Sequence, residues 1–164
     1  MFKIKKFCLL IVSLLSLVAF TGCEKVQETG KYHEGTYFGY DEYESYGTKY
    51  VTSAVVYVNE NGVIKSVFID STYNKDGINT TKKTLGDAYG MKETSANIGV
   101  IPGGAEWYEQ VSKIEDKVIS EQSLDWVKWS DEAETKLDVD TISGVTISSD
   151  SYIRALSNAF DKMK

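Results

Sequence analysis

The hydrophobic and polar positions divide the chain into a leader, a polar link and a two-part folded region. Phe7 to Phe20 is an apolar run behind the basic stretch Lys3-Ile4-Lys5-Lys6. A run this short with a basic flank predicts a targeting segment rather than a transmembrane helix or a piece of the fold. Glu24 to Tyr32 is polar and predicts a tether. Strand-like patterns follow. Thr36–Tyr43 is aromatic and extended, Lys49–Val58 is dense in Val, Thr and Tyr, and Val63–Asp70 returns after Asn59-Glu60-Asn61-Gly62, whose Asn-Gly pair predicts a hairpin turn. Val55-Val56-Tyr57-Val58 is apolar on both phases, which predicts a sheet covered on both faces over part of its length.

The periodicity then lengthens to that of helices. Thr80–Tyr89 predicts a short helix ended by Gly90. Ala105–Ser120 predicts a longer one, with Trp107, Val111, Ile114 and Val118 on one face and Glu109, Lys113, Asp116 and Lys117 mostly off it. Ser148 or Ser149 is placed to cap a last helix whose stripe is Ile153, Leu156, Phe160 and Met163. The predicted architecture is one α+β domain, an antiparallel sheet meander with packed helices. Residues 1–22 form the leader, 23–33 the tether and 34–164 the domain.

Charge and cysteines narrow the function. The chain has 18 basic and 24 acidic side chains, a formal charge of −6. Loss of Lys3, Lys5 and Lys6 with the leader makes the remainder more acidic still. Such a balance argues against nucleic acid and against electrostatic attachment to anionic lipid. Cys8 lies in the leader, so only Cys23 would remain, and the single histidine is His33. No disulfide framework, redox dithiol or thiolate metal site can be assembled from these. Gly-x-Ser-x-Gly, P-loop, HExxH and Gly-x-Gly-x-x-Gly motifs are absent.

The candidate chemistry lies near the C-terminus, in Asp140-Thr141-Ile142-Ser143-Gly144-Val145-Thr146. Ser, Thr, Asp and Gly gather before helices because they turn and cap. The same placement also suits a phosphate, since free N–H groups and the macrodipole at a helix start favour an anion by ~0.3–1 kcal/mol. The segment resembles Asp-x-x-Ser/Thr-Gly-Ala-Thr, the flavinylation motif of the FMN-binding domain family, with Val145 where the family has Ala. That family includes flavin-carrying subunits of sodium-pumping and Rnf-type redox complexes and extracellular flavin lipoproteins of Gram-positive bacteria. The resemblance implies FMN joined through its phosphate to the Thr146 hydroxyl by a separate flavin transferase, with Asp140, Ser143 and Gly144 forming the recognition and phosphate turn. Glu34-Gly35-Thr36-Tyr37-Phe38-Gly39, Leu85-Gly86-Asp87-Ala88-Tyr89-Gly90-Met91 and Glu106-Trp107-Tyr108-Glu109-Gln110 resemble further blocks of the lipoprotein branch. Tyr89, Met91, Trp107 and Trp126 are the candidates for an aromatic and apolar slot around the flavin ring, although most aromatics in such a chain serve as core or surface.

Phe20-Thr21-Gly22-Cys23 resembles a bacterial lipobox, with Phe20 where Leu is commoner. It implies cleavage before Cys23 and a lipid on its sulfur, and therefore a lipid-anchored protein on the extracellular face of the cell membrane. The implied role is an electron relay between a membrane quinol-oxidising system and an extracellular acceptor or reductase, without a dedicated substrate of its own. A covalent cofactor suits that setting, because tethering keeps it at an effective concentration on the order of millimolar. The alternative is a non-redox surface binding lipoprotein that keeps the fold without the cofactor, and Val145 is the residue that favours it. Processing of Leu15–Gly22 into a signalling peptide is a third reading of the leader alone.

Overall fold

The computed structural model describes residues 29–132 and 143–164. The leader, Cys23, the greater part of the tether and Asp140 lie outside the described residues. Four antiparallel strands form a meander in the order β1 (Gly35–Ser45), β2 (Thr48–Val58), β3 (Ile64–Lys75) and β4 (Ile78–Thr81). Helix α1 (Lys82–Leu85) runs into a 3-10 turn at Gly86–Tyr89, and α2 (Lys92–Ile98), α3 (Trp107–Glu121) and α4 (Asp150–Phe160) follow. The architecture is α+β, as the patterns predict. Among the described residues no helix is long and apolar enough to cross a membrane.

Two tight links set the register. Ser45 faces Thr48 across Tyr46-Gly47, and Lys75 faces Ile78 across Asp76-Gly77. All four link residues have positive φ (50°, 74°, 53° and 83°), the two-residue form whose twist matches that of paired strands. The Asn59–Gly62 turn forms too, but in a longer shape. Asn59 Oδ1 accepts from the N–H groups of Asn61 (3.1 Å) and Val63 (3.0 Å), and only Gly62 is left-handed.

The second hairpin corrects one helix boundary. Asp76-Gly77 turns the chain back so that Thr80 pairs with Tyr73 and Thr81 with Thr72, and the predicted helix loses its first two residues to β4. Thr81 then caps α1, its hydroxyl accepting from the Thr84 N–H at 3.2 Å. Gly90 ends the 3-10 turn at φ 80°. Helix α2 lacked a long apolar stripe and was not anticipated.

Helices α3 and α4 share one core with the sheet. Val56, Val58 and Ile69 meet Trp107, Val111, Ile114 and Val118 of α3 and Ile153, Leu156 and Phe160 of α4. The expectation of cover on both faces fails. Val56 and Val58 are fully buried, whereas Tyr57 is 42% exposed, and Phe38, Tyr40 and Phe68 are also exposed. The reason is that both long helices add to the same core, so the opposite phase of each strand is left outward.

Helix side chains meet the outer edge of β1 and the stretch of β3 that β4 does not reach, which blunts the hazard of open backbone groups there. Along β1, Lys162 donates to the Phe38 carbonyl (2.7 Å), Asn158 to the Tyr40 carbonyl (2.7 Å), and Arg154 pairs with Asp41 (3.0 Å), one residue from each successive turn of the chain's last helical stretch. Along β3, Glu115 accepts from the Ile69 N–H (2.6 Å), and Gln122 both accepts from the Ile64 N–H (2.7 Å) and donates to its carbonyl (2.9 Å).

Helix α4 packs its backbone directly against Gly39. A Cβ there would stand 2.0 Å from the Ala155 carbonyl oxygen and 2.5 Å from the Ala159 nitrogen. Both are backbone atoms, so neither can swing aside. Gly39→Ala should therefore destabilise the domain by about 1–3 kcal/mol, the usual size of overpacking. Urea denaturation checks this, and a midpoint equal to wild type would contradict so close a helix approach.

Candidate functional site

Thr146 sits in a link that precedes α4, and its position is fixed by α3. Gly144 is left-handed at φ 74°, a conformation a side chain would strain. Two residues later the Thr146 N–H donates to Gln110 Oε1 at 2.8 Å, and the Thr146 hydroxyl reaches the same oxygen at 3.1 Å. Gln110 is fully buried, and its Nε2 donates to the Ala105 carbonyl at 3.1 Å. Thr146 itself is half-buried. Lys113, one turn further along α3, donates to the Gly144 carbonyl at 2.9 Å. A Cβ on Gly144 would stand 2.5 Å from the Lys113 Nζ, so the glycine also leaves room for this cation. Ser143 is exposed.

The helix start is further from Thr146 than the sequence suggests. Helix α4 begins at Asp150, with Ser149 in the cap position. The Ser149 hydroxyl does not cap. It donates to the Ile147 carbonyl at 3.1 Å, and its backbone carbonyl accepts the first helical N–H groups, from Tyr152 and Ile153. Asp150 adds a negative side chain to the first turn. The positive group at the Thr146 turn is therefore the Lys113 ammonium rather than the helix end.

One turn back along α3 from Gln110, the aromatic residues converge. Ring contacts link Tyr43 to Tyr50 (5.2 Å), Tyr50 to Tyr73 (6.4 Å), Tyr73 to Tyr89 (5.0 Å), Tyr89 to Trp107 (6.5 Å) and Trp107 to Tyr152 (5.7 Å). The Trp107 indole N–H donates to the Tyr152 hydroxyl at 3.0 Å, and this ring is 1% exposed. Trp107 is thus the floor of the group, while Tyr50, Tyr73 and Tyr89 are half-buried at its rim. Met91 is half-buried nearby and is tied to the start of α3, its N–H donating to Glu106 Oε2 at 2.8 Å. Trp126 is not part of this group. It lies beyond the far end of α3, under the Lys117 ammonium at 5.2 Å.

Lys82 occupies the middle of the aromatic group. Its Nζ lies 6.0, 5.4 and 5.4 Å from the ring centres of Tyr43, Tyr89 and Trp107 and donates to the Tyr43 hydroxyl at 3.3 Å. Among the described residues no carboxylate lies within 4 Å of it. Burial lowers its pKa from 10.5 to about 8, against an opposing pull from Asp70. Burial, followed by neighbouring phenols, pushes Tyr89 up to about 12. Burial also raises Tyr152, partly offset by the Trp107 N–H. The box therefore holds one cation among neutral rings near pH 7.

Sequence reasoning missed Gln110, Lys113 and Lys82 as site residues. Gln110 did carry a signal, since it is a polar residue placed three after Trp107 and four before Ile114, on the buried face of α3. Lys82 and Lys113 carried none, because lysines on short or amphipathic helices are ordinarily solvated.

The Lys82 environment predicts a stability change with pH. Lys82 has a depressed folded pKa of about 8 against 10.5 when unfolded, so between those values the unfolded chain binds more protons. Stability from this group must then rise with pH across that window, as the buried charge is relieved. The unfolding free energy of wild type minus that of Lys82→Met should be flat below about pH 8 and increase towards about pH 10.4. Urea titrations of both proteins at several pH values measure it, and a flat difference across the window would contradict the buried charge.

No curated protein and no solved structure matches the chain. A family model does. The model described as FMN-binding domain matches residues 47–161, from the β1–β2 turn to just past α4. The matched span contains Gln110, Thr146 and all of the aromatic box except Tyr43. On this match over more than half its length, the chain belongs to the FMN-binding domain family and is a flavin-binding protein.

Proposed function

We propose that this protein is a membrane-anchored extracellular flavoprotein that carries FMN covalently on Thr146 and relays electrons. The observation that carries the reading is the presentation of Thr146 inside the family match, a half-buried hydroxyl on a glycine turn whose backbone is tied to a buried glutamine. The residues present suit the group. Thr146 offers the ester oxygen, Gly144 leaves the turn uncrowded, and Lys113 supplies a cation beside it. Tyr89 and its neighbours Tyr50 and Tyr73 offer half-exposed aromatic surface, with Trp107 as the floor and Met91 alongside. When bound, the flavin would supply the redox chemistry, and the chain would supply position, burial and charge.

The finer assignments rest on sequence. Cys23, in its lipobox-like setting, is the proposed lipid site, and Asp140 belongs to the motif read by a flavin transferase. The electron donor is proposed to be a membrane quinol-oxidising system, and the acceptor an extracellular oxidant or reductase. The second reading, a binding lipoprotein without cofactor, rests on Val145 alone. Val145 is half-buried against the core, which gives its larger side chain an ordinary packing role.

Thr146→Val decides between them. The variant keeps the Thr146 N–H bond to Gln110 and loses only the hydroxyl bond, a cost of about 0.5–1.5 kcal/mol. It should fold and lose the covalent flavin mass completely, while Thr146→Ser retains part of it. Intact mass after co-expression with a flavin transferase measures this. A folded wild-type protein without flavin mass would refute covalent attachment and favour the binding-module reading. Separately, Cys23→Ala should release or mis-sort the protein, as seen by fractionation. A native protein found in the medium without lipid would refute the anchor.

A further inference from the structure

We propose that Gln110 is a positioning residue for flavin attachment, one that aims the Thr146 hydroxyl so that its lone pairs face outward. The inference rests on the flavin reading above and adds a residue that the motif itself does not contain.

The orientation of the Gln110 amide is settled by its neighbours. Its nitrogen faces the Ala105 carbonyl at 3.1 Å, an acceptor, so its oxygen must face the other way. That oxygen meets the Thr146 N–H at 2.8 Å, which can only donate. The Thr146 hydroxyl, 3.1 Å from the same oxygen, must then act as donor as well. A hydroxyl that spends its proton on Gln110 holds both lone pairs away from it. One of those lone pairs forms the bond to phosphorus.

Gln110 is fully buried and anchored at its nitrogen end, so it can hold this geometry without following the link. Backbone and hydroxyl bonds to one oxygen fix both the Thr146 position and its side-chain torsion. Neither the turn residues nor the helix end does so. Gly144 leaves space, and the Ser149 hydroxyl is bonded to Ile147.

The step it serves balances as follows. An activated flavin donor is needed, because a phosphate monoester has no good leaving group, and a flavin dinucleotide meets the need. Thr146 Oγ1 bonds to the flavin-side phosphorus, the pyrophosphate P–O bond breaks, and the nucleoside monophosphate leaves with the bonding pair. The hydroxyl proton passes to solvent or to a base on the transferase, since an amide oxygen is too weak a base to keep it. Afterwards Oγ1 has no proton for Gln110, and only the Thr146 N–H bond remains.

The test uses the mature protein, the transferase and a flavin dinucleotide, with labelling followed by intact mass. Gln110→Met keeps length and bulk but lacks the acceptor. Gln110→Glu keeps an acceptor oxygen. The Met variant should label about 10- to 100-fold more slowly at saturating protein, with its KM towards the transferase unchanged, as expected for a misaimed group. The Glu variant should recover much of the rate. A folded Met variant labelled at the wild-type rate, or one slowed only through KM, would overturn the proposal. Should the Met variant not fold, the wild-type protein decides by NMR. A slowly exchanging Thr146 hydroxyl proton close to the Gln110 amide in unlabelled protein, lost on labelling, supports the proposal, and a freely exchanging hydroxyl overturns it. A wild-type protein that stays unlabelled while a control substrate is flavinylated would instead overturn the flavin reading itself.

Discussion

Backbone groups that have left water need partners, and in this molecule helix α3 provides them for two separate segments. Glu115 and Gln122 satisfy Ile69 and Ile64 on the free edge of β3, and Gln110 satisfies the N–H of Thr146. An apolar stripe alone tolerates small slides and rotations of a helix. Directional bonds to the sheet from Glu115 and from Gln122 just past the helix end, roughly 10 Å apart along the axis, do not. The rotation of α3 is thereby locked to the sheet, and the Thr146 link is locked to α3. The site inherits its precision from the same helix that closes the sheet.

The opposite edge is held by α4 and the residues just after it, and the two arrangements are complementary. Asn158 and Lys162 satisfy β1 carbonyls and Arg154 pairs with the Asp41 side chain from the exposed side of the helix, while Ala155 and Ala159 let it approach Gly39. A sheet bracketed in this way needs no second layer of helices to end its edges. Its outward face is accordingly free to keep Phe38, Tyr57 and Phe68 exposed.

The sequence made the periodic elements legible and left the polar ties obscure. Trp107, Val111, Ile114 and Val118 recur at helical spacing, and each is buried as the stripe requires. The left-handed turn at Gly144 was legible because a turn before a helix needs only neighbouring residues. The boundary at Thr80–Thr81 was misread because threonine is at home in strands and helix caps alike, and Asp76-Gly77 decides between them only once a hairpin is assumed. Tyr57 was misread because apolar residues on both phases say nothing about how many layers exist. Gln110 and Lys82 were missed as candidate site residues for a deeper reason. Their partners lie 36 and 39 positions away, at Thr146 and Tyr43, and no local pattern encodes a contact at that separation.

Charge supplies the last step. The chain is acidic overall, at −6, yet the proposed flavin adds a phosphate and, on reduction, the possibility of a negative ring. The two lysines near the site differ in what they can offset. Lys113 is exposed beside the turn, where a pair of unit charges at ~4 Å is worth about 1 kcal/mol in water and less with salt. In the flavin reading it would ease attachment without controlling it. Lys82 is buried among rings, where screening is weak, and the phenols around it are held neutral because burial raises Tyr89 and Tyr152. No negative charge develops in the box to cancel it. In the flavin reading, Lys82 is therefore the group able to favour a reduced anionic ring against the acidic surface. Its pKa of about 8 means that this help fades as the medium becomes alkaline. In that reading two tasks fall about one turn of α3 apart, attachment beside Gln110 and electrostatic tuning by Lys82 of α1 against Trp107.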